Sequence, residues 1–296
     1  MTVLTPAPPR TAGPLVPTAL TLGSMSLVQI GLAASTGFFE RLSPAGTTWL
    51  RLSWAAVLLL IVVRPKPWRY SPRDLGGVAV LGAVSAGMTL LFAEAASRLP
   101  LSTAVAIGFL GPLGVAVARR AGRLGLLWPP VAFAGILLVT EPWHGSVNAP
   151  GLAFAIANAF CWAGYMLLTQ RVADRVPGLS GLAMSMTVSA LVAAVFGASH
   201  ALARMDSRDL VLGAGLALLV PALPYAMEML ALRRMAVGAF GTLLSLEPAI
   251  ALVVGFVALH QVPALWQVVG VGLVTVAAAG AARAGRREPV AGPTTV

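Results

Sequence analysis

The sequence predicts an all-α polytopic membrane protein, ten transmembrane helices arranged as two inverted five-helix repeats. Three observations carry that expectation: composition, the spacing of apolar runs, and a weak internal repeat. Of 296 residues, 58% are hydrophobic and 10% charged, and the mean hydropathy is +0.86. A soluble domain carries roughly 25% charged residues, so this chain lacks the polar coat of a soluble enzyme or a DNA-binding protein. The net charge of +10 does not favour nucleic acid, because the basic residues are scattered between apolar runs rather than gathered on one solvated face. Cys161 is the single cysteine, which excludes an intramolecular disulfide and a Cys-based metal site.

A bilayer-crossing helix needs about 20 predominantly apolar residues. Ten runs are candidates, over 15–38, 46–63, 75–96, 101–118, 125–140, 151–170, 180–199, 210–231, 238–259 and 264–282, the fifth of them short. The first is weakened by Ser24, Ser26 and Gln29. Residues 1–14 read as a disordered Pro- and Thr-rich tail, and 285–296 as a short polar tail. Arg10 before an apolar run has the outline of a signal peptide, but the run from Leu15 is long for one and reads as a retained span. With the N-terminus inside, fifteen basic residues fall in cytoplasmic segments and four (Arg41, Arg98, Arg204, Arg208) outside. Both termini are therefore expected in the cytoplasm.

Two strips match at an offset of 136: Arg98 to Pro112, and Arg234 to Pro248. Glu40-Arg41 and Gln170-Arg171 match at 130. The units are expected at 15–142 and 150–284. Five spans per unit is an odd number, which inverts the second unit in the bilayer, a recurrent plan of secondary transporters.

Ionisable residues inside spans are costly and are functional candidates by default. Glu228 and Glu247 have no basic neighbour at helical spacing, and a carboxylate between apolar helices favours its neutral form, so either can take up and release a proton. Each can instead accept hydrogen bonds as structural glue. Tyr225 shares a helical face with Glu228 and Pro221. Pro221 and Pro224 remove backbone donors beside that carboxylate, as Pro248 does beside Glu247 and the Gly111-Pro112 pair does in the fourth span. Broken helices next to a carboxylate make these the candidate gating positions. Glu94 precedes Arg98 by four residues, the spacing of a surface ion pair as well as a possible site residue. Arg51 reads more readily as structural, snorkelling or pairing with Glu40 or another carboxylate. Trp162 and Tyr165 share a face of the sixth span and are carried as cavity residues beside the plainer reading of packing. Gly181, Ser185, Ser189, Ala193 and Gly197 form a small-residue ladder, assigned to close helix approach. Whether such faces also build an oligomer stays open. His144, His200 and His260 are too dispersed for a metal site, and no cofactor is expected.

Several strips resemble the EamA-type branch of the drug/metabolite transporter superfamily. They are Ala104-Val-Ala-Ile-Gly-Phe-Leu-Gly111-Pro112, Cys161-Trp162-Ala163 with Gln170-Arg171, Ala222-Leu-Pro224-Tyr225-Ala-Met-Glu228, and Phe240-Gly241-Thr242-Leu-Leu-Ser245-Leu-Glu247-Pro248. The resemblance covers nearly the whole chain. It implies ten helices around a central cavity lined mainly by helices one, three, four, six, eight and nine. It also implies export of small metabolites across the bacterial cytoplasmic membrane, in the most similar subgroup neutral amino acids of the threonine/homoserine type. One departure is Gln261, where family members usually carry Glu. No Walker A sequence is present, so the expected driving force is an ion gradient, with the proton the economical choice. A zwitterionic substrate would place its ammonium on the buried carboxylates, and its carboxylate on Tyr225 or on backbone donors at a broken helix. The alternatives are export of aromatic amino acids or toxic metabolites and, more distantly, an intramembrane enzyme. Against the last, the chain has no His-Glu-x-x-His motif, and its four aspartates (Asp74, Asp174, Asp206, Asp209) lie in loops or at span edges.

Overall fold

The computed structural model describes residues 15–118, 127–141, 148–173, 175–176, 179–232 and 243–284. The expected tails, Arg119, Arg120, Arg123, Arg233, Arg234 and His144, and the Phe240–Thr242 strip lie outside the described residues. Among the described residues every regular element is helical.

Among the described residues thirteen α-helices follow in order. The first, α1 (Leu15–Thr36), tolerates its polar residues because they bond to its own backbone. Thr21, Ser26 and Ser35 hydroxyls donate to the carbonyls of Pro17, Leu22 and Gly31 at 2.9, 2.8 and 2.6 Å. A short α2 (Phe39–Leu42) leads to Ser43, whose Oγ accepts the Gly46 N–H at 3.2 Å. That cap and Pro44 in the first turn start α3 (Pro44–Val63), which ends at Arg64 in a left-handed conformation, φ 48°. Ser71 caps α4 (Pro72–Ala96) through the Asp74 N–H. Then come α5 (Leu101–Gly108), α6 (Leu110–Ala118), α7 (Trp128–Thr140), α8 (Ala149–Ala173) and α9 (Ser180–Arg204). Asp206 and Asp209 form a reciprocal capping box at the head of α10 (Ser207–Ala217). A wide π turn (Leu218–Ala222) joins it to α11 (Leu223–Leu232), and α12 (Glu247–Leu259) and α13 (Leu265–Ala284) complete the chain.

Among the described residues six helical stretches are long and apolar enough to cross a membrane: Leu15–Thr36, Pro44–Val63, Pro72–Ala96, Ala149–Thr169, Ser180–Arg204 and Ser207–Tyr225. This is a multi-pass membrane protein. The other four apolar runs appear as shorter helices, Leu101–Val115, Trp128–Thr140, Glu247–Leu259 and Leu265–Gly280. At 1.5 Å per residue, a helix the length of α7 or α12 rises about 20 Å, short of the roughly 30 Å hydrocarbon core.

Helical geometry is interrupted near three proline sites. Pro112 lacks an N–H and crowds the carbonyl four residues back, and the helix breaks between Gly108 and Leu110. The turn at Ser245–Leu246, just before α12, stands in the same relation to Pro248. Pro221 sits in the π turn, where Val220 is extended (φ −151°, ψ 114°) and the Val220–Pro221 peptide is cis.

Close packing rests on small residues. All five members of the 181–197 ladder are buried. A Cβ on Gly197 would meet the Ala45 backbone of α3, and one on Gly82 would meet the Ser185 carbonyl. Ser189 donates across the helix pair to the Gly82 carbonyl at 2.8 Å. The helices α7 and α13 cross where Gly135 and Gly270 each face the other's carbonyl. The principal apolar cluster gathers α5, the start of α6, α7, α8 and α13 around Ile107, Phe109, Val139 and Val274. This packing leaves α1 lying against α11 and α12, and there the buried polar groups collect.

Candidate functional site

The helix α1 contributes the residues that made its span look weak. Ser24 and Gln29 are both fully buried. The Ser24 hydroxyl donates to Glu228 Oε1 at 3.3 Å, across 204 residues of sequence. The Gln29 amide donates from Nε2 to Glu247 Oε1 at 3.2 Å, across 218 residues. Glu247 is 7% exposed and opens α12 immediately before Pro248. The two carboxylates lie within electrostatic range of each other. Pairing each with a neutral donor, rather than a cation, keeps the cluster polar without neutralising it.

Tyr225 and Glu228, three residues apart, lie on the same side of α11. The Tyr225 hydroxyl lies near that of Tyr165 on α8, and Glu228 is within electrostatic range of both. Arg51 completes the group at its far end. It is 3% exposed, donates from a terminal guanidinium nitrogen to the Ser35 hydroxyl at 3.3 Å, and lies within electrostatic range of Tyr225. The expected pair with Glu40 does not form: Glu40 sits exposed on α2, and among the described residues Arg51 has no salt bridge.

The structure therefore brings together Glu228, Glu247, Tyr225, Tyr165 and Arg51. It keeps Glu94 apart, in a partly exposed ion pair with Arg98, whose guanidinium lies 4.9 Å from the Phe154 ring centroid. Trp162 meets Phe109 edge-on, centroids 5.6 Å apart, and packs against the main apolar cluster. Gly111, Pro112, Pro221, Pro224 and Pro248 lie at or beside the helix interruptions, and Pro221, Pro224 and Pro248 are buried.

Sequence reasoning missed Gln29, Ser24 and Ser35 as partners of these charged groups. The available signal was their placement inside an otherwise apolar span, where a polar side chain needs a partner. It also missed Asn158, 1% exposed on α8, whose Oδ1 and Nδ2 both lack a hydrogen-bond partner among the described residues. Gln261 accepts the Leu101 N–H at 3.0 Å, satisfying a free donor at the head of α5. A cavity of about 30 Å³ beside it, lined in part by Ser102, Gln261 and Gln267, lies away from the carboxylates. Among the described residues no cluster of His, Cys, Asp or Glu could hold a metal ion, and His200 and His260 are exposed.

A further ionic contact joins α2 to the head of α10. Arg41 donates to Asp206 at 3.2 Å and to the buried Asp209 at 3.0 Å. The Asp206 carboxyl is held below the ordinary carboxylate range, first by the Asp209 backbone N–H and then by Arg41.

A multi-pass helical bundle with two carboxylates gathered against α1, one of them at a helix break, is the kind of site from which membrane transporters are built. Comparison with known proteins specifies the family. The EamA-like transporter family matches residues 149–283. The threonine/homoserine exporter RhtA of Salmonella typhimurium (strain SL1344) is 32% identical over 277 residues, 93% of this chain and 94% of that protein. RhtA of Escherichia coli (strain K12) is 31% identical over 276 residues, 92% and 93% of the two chains. The chain belongs to the EamA-like transporter family. One crystal structure shares the fold at a TM-score of 0.60 and 19% identity, covering 92% of this chain and 99% of that one.

Proposed function

We propose that the chain is a secondary-active exporter of the bacterial inner membrane. It carries neutral amino acids of the threonine/homoserine type outward in exchange for protons, by alternating access. The observation that carries this reading is a pair of carboxylates, Glu247 buried at the head of α12 and Glu228 half-buried within α11, each held by a neutral donor from α1. Two carboxylates that form no ion pair among the described residues can exchange a proton for the ammonium of a substrate, which couples the two movements. Similarity to RhtA over nearly the full length of both chains supports the substrate class.

The packing supports ten spans in two inverted units, 15–142 and 150–284. Exchanging the first span with the sixth, the third with the eighth and the fourth with the ninth turns the α1–α11 contact into α8–α4. It turns the α1–α12 contact into α8 against α5 and α6. The α3–α9, α7–α13 and α5–α12 contacts map onto themselves, and every one of these contacts is present. In this reading both termini are cytoplasmic, Glu247 receives the substrate ammonium, and Glu228, Tyr225 and Tyr165 form the proton-handling end. Glu94 serves as a boundary ion pair, Trp162 as a wall, and the five Gly and Pro positions as bending points.

The test is counterflow in proteoliposomes preloaded with unlabelled solute. Labelled threonine or homoserine should accumulate above the level of empty liposomes, and an inward proton gradient should accelerate its exit. No uptake across a panel of neutral and aromatic amino acids, from protein shown to be folded, would contradict the amino-acid reading. Uptake of aromatic amino acids alone would reassign the substrate.

A further inference from the structure

We propose that Arg51 is the residue that binds the α-carboxylate of the transported solute, and that Arg51 and Glu247 together select an α-amino acid zwitterion; this rests on the amino-acid reading above. A guanidinium is always charged and carries five donors in a planar fork. Arg51 is 3% exposed and, among the described residues, makes one hydrogen bond, to the neutral Ser35 hydroxyl, while its buried Nε has no partner there. A buried cation with no counter-ion is among the costliest arrangements in a fold. A structural arginine would bring its carboxylate with it, as Arg41 does with Asp209.

Arg51 also lines a cavity of about 10 Å³ with Ser35, Thr48 and Phe92, room for about one water in this conformation. An oxygen of an arriving carboxylate can take that place as the surrounding helices part. The fork geometry suits a carboxylate, which it can hold through two parallel bonds.

The spacing of partners along α1 chooses which acid works with Arg51. Ser35 holds Arg51 and Gln29 holds Glu247. Six residues separate them, a rise of about 9 Å. An α-amino acid with one hydrogen bond at each end spans roughly that distance. Ser24, which holds Glu228, is eleven residues from Ser35, a rise of about 16 Å along the axis of α1, so Glu247 is the carboxylate whose partner on α1 matches the length of the solute. Tyr225, the sequence-based candidate for the carboxylate, lies within electrostatic range of Arg51 but carries no charge to offer.

The experiment is competition in threonine counterflow by L-threonine and by L-threoninol, in which CH2OH replaces the carboxylate. In the unmodified protein threoninol should compete about tenfold to a hundredfold more weakly than threonine, the range of a lost charge-assisted hydrogen bond. In Arg51→Gln that ratio should collapse below about threefold, and Arg51→Lys should keep most of it. A second variant, Ser35→Asp, places a carboxylate on Arg51 and also pairs the buried charge if Arg51→Gln fails to fold. It should raise the threonine KM by about tenfold and leave threoninol competition unchanged. Full discrimination retained in Arg51→Gln, or an unchanged threonine KM in Ser35→Asp, overturns the assignment while amino-acid transport stands. Rates that follow the chloride concentration rather than the substrate carboxylate would give Arg51 to an inorganic anion and overturn it too. Failure of the unmodified protein to exchange any amino acid removes the functional reading and this inference with it.

Discussion

The helix breaks at Pro112 and Pro248 use one device for two ends. Each proline follows a helical interruption by the same few residues, and each break packs against a long helix from the other half of the chain. The residue before Pro112 is Gly111, set so close to α8 that a Cβ would strike the Ala159 carbonyl. The residue before Pro248 is Glu247, facing Gln29 of α1. On the facing helices the amides differ as well: Gln29 donates to a carboxylate, whereas Asn158, against Gly108, has no partner for either end of its amide. One break is sealed by backbone packing and the other is polar. Repetition of a fold supplies two bendable points, and the chemistry needs to be placed at only one of them.

The comparison can be broken most violently at Gly111. Gly111→Leu forces a side chain into the α8 backbone, and overpacking of even a methylene or two costs about 1–3 kcal/mol. Little folded protein should be recovered from membranes, measured as the monodisperse fraction after detergent extraction. Normal recovery would show that the break is not sealed. Gln29→Leu comes next. Glu247 loses its donor, a change of about 1–3 kcal/mol at a charged group, so counterflow should fall roughly tenfold to a hundredfold at equal insertion.

Asn158→Leu sharpens the contrast. Replacing a buried amide that has no partner by an apolar residue of similar volume should leave stability unchanged or raise it by about 1 kcal/mol, seen as a higher unfolding temperature. Counterflow should stay within about twofold. A large loss of transport would make Asn158 a working counterpart of Gln29 and erase the asymmetry. The smallest effect belongs to Asp206. Its folded-state carboxyl titrates below the ordinary value of 3.8, so its contribution is present above that value and is lost as pH falls through the lower folded one. Asp206→Asn should therefore cost a little stability at neutral pH and nothing once the pH is well below 3.8, read from thermal unfolding at the two pH values.

Parts of this were legible in the sequence for definite reasons. Hydropathy exposes spans such as α3, α4 and α9 because twenty apolar residues have few other uses. Glu228, Glu247 and their prolines stand out because charge inside a span is costly. What pairs with them was not legible. Gln29 and Ser24 lie more than 200 residues from Glu247 and Glu228, and along the chain they read as flaws in a hydrophobic run. Arg51 was set beside Glu40 by proximity in sequence. The exposed position of Glu40 on the short α2 removes that partner, and only tertiary packing leaves the guanidinium facing a cavity.

The role proposed for Glu247 at the polar break is tested most directly by labelled-threonine counterflow of Glu247→Gln, reconstituted at the same density as the unmodified protein and shown to be folded. Exchange should fall to the level of empty liposomes, because the isosteric amide keeps the shape of the break but cannot hold the ammonium. Exchange at the unmodified rate would contradict it, and would make the carboxylate a structural partner of α1.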